Sequence, residues 1–282
     1  MNPGNLIFVQ LFGIVAILSE GIVRYNQHFT TPLARSGLNL GEKFVRSEIV
    51  NSNLLDLYHR YVVFAFDQQM ALADWMESNT TGGRYDYTTS KATLDLGGPQ
   101  PLLAFELGSY SAKDNSWLWA WCNSTRVLVP ENVELGEAVQ QLGETLNIDC
   151  FLASEKFDCT AEIGEELHEI APYVFAWTIG SELMFNASYV MPYPHGQFVV
   201  LIKDDEIPER NNTTLPSIRS SFLQVVSAVA IPNHRAAFEG YLGQLKIDFE
   251  QDETSIRLED EGSQMTASFD DLGRLQSMDG NI

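Results

Sequence analysis

Three tryptophans stand two residues apart in Trp117-Leu118-Trp119-Ala120-Trp121-Cys122-Asn123. On a β-strand this spacing puts all three indoles on one face, about 6.6 Å apart. An open row of indoles makes a platform for a sugar, a nucleobase or a peptide. Covered by helices, the same row fills a core, and a strand apolar on both faces is normally interior. Glu106 lies in the apolar run LLAFELGSY, with Phe105 and Leu107 on one face and the carboxylate on the other. A half-buried carboxylate there could act as a base; it could equally sit on a solvated face or pair with a lysine or arginine. Tyr193 and His195 flank the loop Pro192-Tyr193-Pro194-His195-Gly196, where His195 could serve as acid or base. A rigid turn feeding a strand explains that loop as well. His234-Arg235 opens a helix. The pair could meet an acidic partner, or cap the helix and pack on the sheet that follows.

Other chemistries are disfavoured. The five histidines, His28, His59, His168, His195 and His234, share no HxxxH or HxH spacing, so no metal site is expected. The chain lacks GxxxxGK[ST], GxGxxG and GxSxG, which argues against common nucleotide-dependent and hydrolase classes. Acidic turns at Asp252-Glu253 and Glu259-Asp260-Glu261 do not follow the ligand register of a calcium loop. Cys122, Cys150 and Cys159 form no CxxC pair, against a zinc site or a disulfide framework. Cys122 reads as a small hydrophobe within the Trp strand, and a Cys150–Cys159 bridge is conceivable only in an exported chain. No cofactor is expected. A formal charge of −21 repels phosphate backbones and anionic lipid, so neither nucleic acid nor a membrane is an expected partner.

The elements that must position these residues alternate between two periods. Leu54, Tyr58, Tyr61, Ala65, Leu72 and Met76 recur at helical steps, with Gln68 filling the gap in the series and Asn79 to Gly83 ending the helix. Strands follow at 91–96 and from Leu103, and a Lys113-Asp114-Asn115 turn leads into a strand running from Ser116 to Cys122. Helices are expected after Pro130, through Ile163, Leu167 and Ile170, and on from Pro172 to Leu183. Phe198 to Ile202 reads as a buried central strand. The tail adds two helices, around Phe222–Val229 and after Asn233, then strands at 246–249, 255–258, 265–269 and 275–278. Five N-x-S/T sequons occur, at Asn79, Asn123, Asn186, Asn211 and Asn212, and a glycan at Asn123 would clash with a buried Trp strand.

These elements divide the chain into an apolar segment and connector over 1–41, a main domain over 42–203, a linker over 204–216 and a small unit over 217–282. A unit of about 65 residues has little core of its own and is expected to dock. The run 6–18, LIFVQLFGIVAIL, is short of the roughly 20 residues that span a bilayer and has no basic residue before it. A buried or interfacial segment in a cytoplasmic protein is the primary expectation; an envelope anchor or export signal is the alternative.

Over about 50–203 the chain resembles an uncharacterised bacterial family, a domain of unknown function carrying a Trp-x-Trp-Ala-Trp-x-Asn strand. Leu107-Gly108-Ser109-Tyr110 and Tyr189…Pro192…Gly196 fit the same pattern. His234-Arg235-Ala236-Ala237 and Phe269-Asp270-Asp271-Leu272-Gly273-Arg274 resemble a module of other uncharacterised bacterial proteins. Neither resemblance implies an activity or a functional residue. The expected fold is α+β, an antiparallel sheet packed with helices plus a helix–helix–β-meander unit. The leading functional expectation is a non-enzymatic binding or interaction protein, acting through a groove at the Trp strand, with Trp117, Trp119, Trp121, Glu106, Tyr193 and His195 as candidate binding residues, or through its acidic face. The alternative is a hydrolase-like enzyme in which Glu106 and His195 converge on that face.

Overall fold

The computed structural model describes residues 52–80, 86–88, 91–125, 127–210, 213–260 and 262–281. The apolar run 6–18 and its envelope reading lie outside them. The helical series forms α1, Ser52–Asn79. Leu57, Tyr58, Tyr61, Val62, Val63, Ala65 and Phe66 are all buried, so α1 is covered on nearly every side, as a helix apolar around its circumference must be. Its last carbonyls are satisfied locally, Trp75 O by the Asn79 amide at 2.9 Å and Met76 O by the Thr80 hydroxyl at 2.8 Å.

A seven-stranded antiparallel sheet follows, made of β1 (Asp86–Thr88), β2 (Thr93–Asp95), β3 (Leu102–Ser111), β4 (Ser116–Trp119), β5 (Phe157–Asp158), β6 (Ala187–Tyr193) and β7 (Gly196–Ile202). Strand β3 is its spine. One edge of β3 pairs with β7; the other pairs with β2 at its start and with β4 at its end. The gap between β2 and β4 is closed by Asn132, which is fully buried and whose Oδ1 accepts the Glu106 N–H at 3.0 Å. A bulge between Glu106 and Gly108 inserts Leu107 into the pairing with β7. The extra residue reverses the alternation. Leu102 and Ala104 therefore join a small cluster with Leu94, Val200 and Ile202, whereas Tyr110 joins the main core with Trp117 and Trp119.

Helices α2 (Pro130–Leu146), α3 (Cys159–Ile163) and α4 (Ala171–Glu182) surround this sheet. Proline begins α2 and sits in the first turn of α4, where its missing N–H costs nothing. The tail consists of α5 (Leu215–Ala228), α6 (His234–Leu245) and an antiparallel sheet of β8 (Glu250–Gln251), β9 (Ser255–Asp260), β10 (Ser263–Phe269) and β11 (Leu275–Asn281). The fold is α+β, with antiparallel sheets and helices packed on them.

The tail packs directly on α1. A Cβ built on Gly240 would stand 2.5 Å from Arg60 Cα, so α6 and α1 approach closely enough to exclude any side chain there. The Tyr58 hydroxyl donates to Ala230 O at 2.9 Å, and the Tyr241 hydroxyl donates to Asp67. One core cluster runs through both units, from Tyr58 and Trp119 to Phe222, Phe238 and Phe269.

Several expected elements differ. The Trp strand ends at Trp119, and Ala120–Cys122 form a 3-10 turn because the chain there must climb onto α2. The single helix expected through Ile163, Leu167 and Ile170 is split. Gly164, at φ 80, ends α3, and a separate 3-10 turn spans His168–Ile170. Strand β2 is shorter than 91–96, and the strand expected at 246–249 gives way to β8 at Glu250–Gln251. The segment expected to link the units is tied down. Asp204 Oδ2 accepts the Leu103 N–H, Ile207 is buried, Arg210 pairs with Asp74, and α5 begins at Leu215 behind a Thr214 cap.

Candidate functional site

The indoles of Trp117 and Trp119 are fully buried, with ring centroids 5.2 Å apart in an edge-to-face contact. Trp121 leaves the strand on the 3-10 turn and stacks on Trp119, centroids 4.9 Å apart and planes within 7°. Phe151, Phe157 and Phe175 enclose the group, and Trp119 Nε1–H donates to Cys150 O at 2.8 Å. A Cβ on Gly136 would stand 2.9 Å from the Trp121 ring, so α2 lies directly against it. A platform needs open ring faces, and those of Trp117 and Trp119 are covered. Their burial contributes roughly 2–3 kcal/mol each to folding.

Glu106 is 2 % exposed and points to the smaller cluster, opposite Phe105, as the alternation required. His195 does not meet it. Register pairs Glu106 with Val200, while His195 sits in the β6–β7 turn about five residues farther on, or roughly 16 Å away at ~3.3 Å per residue. His195 is exposed, adopts φ 75, and uses its carbonyl to accept Ala112 N–H at 3.0 Å. The Tyr193 hydroxyl donates to Tyr110 O at 3.0 Å. Both residues thus clamp the β6–β7 turn onto the β3–β4 hairpin. The convergence that the hydrolase reading required is absent from this geometry.

His234 and Arg235 are also structural. His234 Nδ1 accepts Leu275 N–H at 3.1 Å, and Arg235 N–H donates to Gly273 O at 2.9 Å. The Arg235 guanidinium binds Asp252 O and Glu253 O and pairs with Glu239. The two tail fragments singled out in the sequence therefore touch, bolting the start of α6 to two turns of the meander. Cys122, Cys150 and Cys159 are all free. Cys122 is half-buried on the 3-10 turn and donates to Ala153 O, so it is not a strand residue. Burial pushes the Cys150 thiol well up and the Cys159 thiol to about 12, which leaves both unreactive at neutral pH. Among the described residues, no group of His, Cys, Asp and Glu is arranged to hold a metal ion.

A different place has the geometry of a site. Between α1, α4 and the start of β6 lies a small cleft, open to solvent, with an internal volume of about 10 Å3, room for roughly one water, whose lining includes Gln68, Gln69, Trp177, Ser181, Phe185 and Asn186. Helical spacing puts Ala65, Gln68 and Gln69 on one stripe of α1, and Ala176, Trp177 and Gly180 on the facing stripe of α4. Small residues on both stripes, Ala65, Ala176 and Gly180, leave the space between them unfilled. Helix α4 ends with Phe185 N–H donating to Gly180 O at 2.8 Å and Met184 N–H to Ser181 O at 3.3 Å, around Met184 at φ 56. This Schellman turn swings Phe185 and Asn186 to the mouth of the cleft.

Gln69 Oε1 accepts from Ser188 N–H and hydroxyl, at 3.3 and 3.2 Å. It thereby covers the outer edge of β6, where Pro192, two pairs along, offers no N–H. Gln68 and Trp177 behave differently. They are 6 % and 4 % exposed, yet Gln68 Oε1 and Trp177 Nε1 have no hydrogen-bond partner among the described residues. Trp117 and Trp121 also bury an unpartnered Nε1, but neither lines this cleft. No residue lining the cleft is charged. One turn earlier on α1, the Tyr61 hydroxyl donates to Glu182 and is pushed up to about 12, by burial first and the carboxylate second.

Residues 55–205 match the model of DUF6882, a family of unknown function. The chain belongs to that family. No curated protein and no solved structure matches it. The DUF6882 match contains every residue of the cleft, whereas α5, α6 and the meander lie beyond it. Among the described residues, no helix is long and apolar enough to cross a membrane. Sequence reasoning missed Trp177 and Asn132. Gln68 alone left a signal, a polar side chain standing where the helical series required an apolar one.

Proposed function

We propose that this chain is a non-enzymatic binding protein that takes its ligand in the cleft between α1, α4 and β6. One observation carries the reading. Gln68 and Trp177 line the same opening, and each buries one polar atom, Gln68 Oε1 and Trp177 Nε1, that has no hydrogen-bond partner among the described residues. A buried polar group left unpaired costs about 1–3 kcal/mol, and a ligand that reaches either one recovers that cost on binding. The uncharged lining supports a neutral ligand, notable in a chain of formal charge −21. The distance between Glu106 and His195 removes the motive for a hydrolase. Screening uncharged fragments by thermal shift tests the reading, using the parent chain and a Ser181→Trp variant whose indole blocks the cleft. Fragments that raise the melting temperature of the parent but not of the variant are expected. Equal shifts in both, or none in the parent, would overturn it.

A further inference from the structure

Away from the cleft, we infer that the free edge of β11 binds an extended, basic segment of a partner protein, added to the tail sheet as a fifth strand. Strand β11 pairs with β10 on one side, and among the described residues no strand lies on the other. Its first N–H is taken, since Leu275 donates to His234 Nδ1. From Gln276 to Asn281 the ladder to β10 is the only backbone bonding among the described residues. In an antiparallel strand about half of the N–H and C=O groups point away from the neighbour, so this edge presents a row of unpaired donors and acceptors. Other sheet edges are protected. Strands β1, β5 and β8 are short, and β6 carries Pro192 and the Gln69 cover over Ser188. Strand β11 runs for seven residues with no proline and no lysine. Charge decides the occupant. Register sets Ser277 and Asp279 across from Ser268 and Thr266 on the outer face, while Met278 turns to the core. Asp279 is exposed, is the one charged residue of β11, and has no ion pair among the described residues. A second copy would bring the same carboxylate and another formal charge of −21 to the contact. A strand with lysine opposite Asp279 gains a cross-strand ion pair, and the field of the whole chain draws it in. Main-chain bonds then supply affinity and the carboxylate supplies selection. Strand β11 lies outside the DUF6882 match, so this edge and the cleft stand or fall separately.

The test uses the full chain and three blocked, dye-labelled peptides. Thr-Lys-Val-Lys-Val-Lys-Thr sets its lysines on one face of an extended strand. Thr-Glu-Val-Glu-Val-Glu-Thr reverses the charge. A copy of the first with every backbone amide N-methylated keeps the charge and removes the ladder donors. Affinity is read by fluorescence anisotropy, and hydrogen exchange over residues 275–281 by mass spectrometry. The lysine peptide is expected to bind saturably and to slow exchange over 275–281, which a loose ionic contact would not do. The glutamate peptide should bind about ten-fold more weakly, and the methylated copy should leave exchange unchanged. Asp279→Lys, at an exposed position, should weaken the lysine peptide about five-fold. If that variant fails to fold, the three peptides on the parent chain still decide. Equal binding of the lysine and glutamate peptides, or slowed exchange with the methylated copy, would overturn the inference. No slowing with any peptide would overturn it too. Exchange over 275–281 that is already slow in the parent and quickens on dilution would assign the edge to a second copy instead.

Discussion

Asp67 and Gln68 are adjacent on α1, both are buried, and they meet opposite fates. Successive residues of a helix point about 100° apart. Asp67, 3 % exposed, faces the tail and accepts the Tyr241 hydroxyl. Gln68, 6 % exposed, faces the cleft with its oxygen unmatched. On the tail side, His59 Nε2 apart, the polar features have counterparts across the interface: Tyr58 with Ala230, Tyr241 with Asp67, and Gly240 packs against the Arg60 backbone. The matched side is built for cohesion. On the cleft side stability has been left unclaimed, as expected where a surface must receive something from outside.

This contrast can be broken from either side. The largest effect is expected from Gly240→Val, which forces a side chain between α6 and α1. It should cost about 2–3 kcal/mol in urea unfolding, and a loss under ~0.5 kcal/mol would mean the helices slide freely. Tyr241→Phe keeps the ring and removes the donor to Asp67. It should cost about 2 kcal/mol, whereas Tyr58→Phe, which leaves only a carbonyl unpaired, should cost about 1 kcal/mol.

Acid should act on the same tail-facing side. His59 is 7 % exposed, and its Nε2 has no partner among the described residues. Burial holds it below its ordinary value of 6.5, against the pull of Asp56 and with a further push from His234. His234, whose Nδ1 must stay unprotonated to accept Leu275 N–H, is also held down by burial, opposed by Asp270 and assisted by Arg274. A depressed histidine favours the neutral form in the fold, so the unfolded chain binds more protons. Its contribution is therefore complete above pH 6.5 and declines as pH falls below it. Melting temperatures measured from pH 8 to 5 should begin to fall below pH 6.5 in the parent, and less steeply in a His59→Gln variant. The smallest effect belongs to the other face of α1. Gln68→Leu should change stability by less than ~0.5 kcal/mol or raise it slightly, since it deletes an acceptor that has no partner to lose. A cost above ~1.5 kcal/mol would show that Gln68 is structural.

Much of the architecture is legible in the residues. Regular helical spacing marks α1, α5 and α6, and continuous apolarity marks β7, because burial on one face or all faces dictates those patterns. The chain is harder to read where one residue changes the rule. Leu107 inserts a bulge that inverts β3, and no local signal in LLAFELGSY announces it. Gly164 divides a stretch whose apolar spacing alone suggests one helix. The Trp row is conspicuous in sequence for the same reason it is hidden in the fold, since large apolar rings at strand spacing are what a core requires. The cleft is the reverse case. Its residues come from α1 and, more than a hundred positions on, from α4 and the start of β6, and only a glutamine in an apolar stripe hints at it.

A crystal structure of the ligand-free chain at a resolution that resolves ordered water tests the central claim most directly. Gln68 Oε1 and Trp177 Nε1 are predicted to find no partner within the protein, with the cleft between α1, α4 and β6 open. A structure in which either atom bonds to another protein group, with the space between α1 and α4 closed, would contradict it.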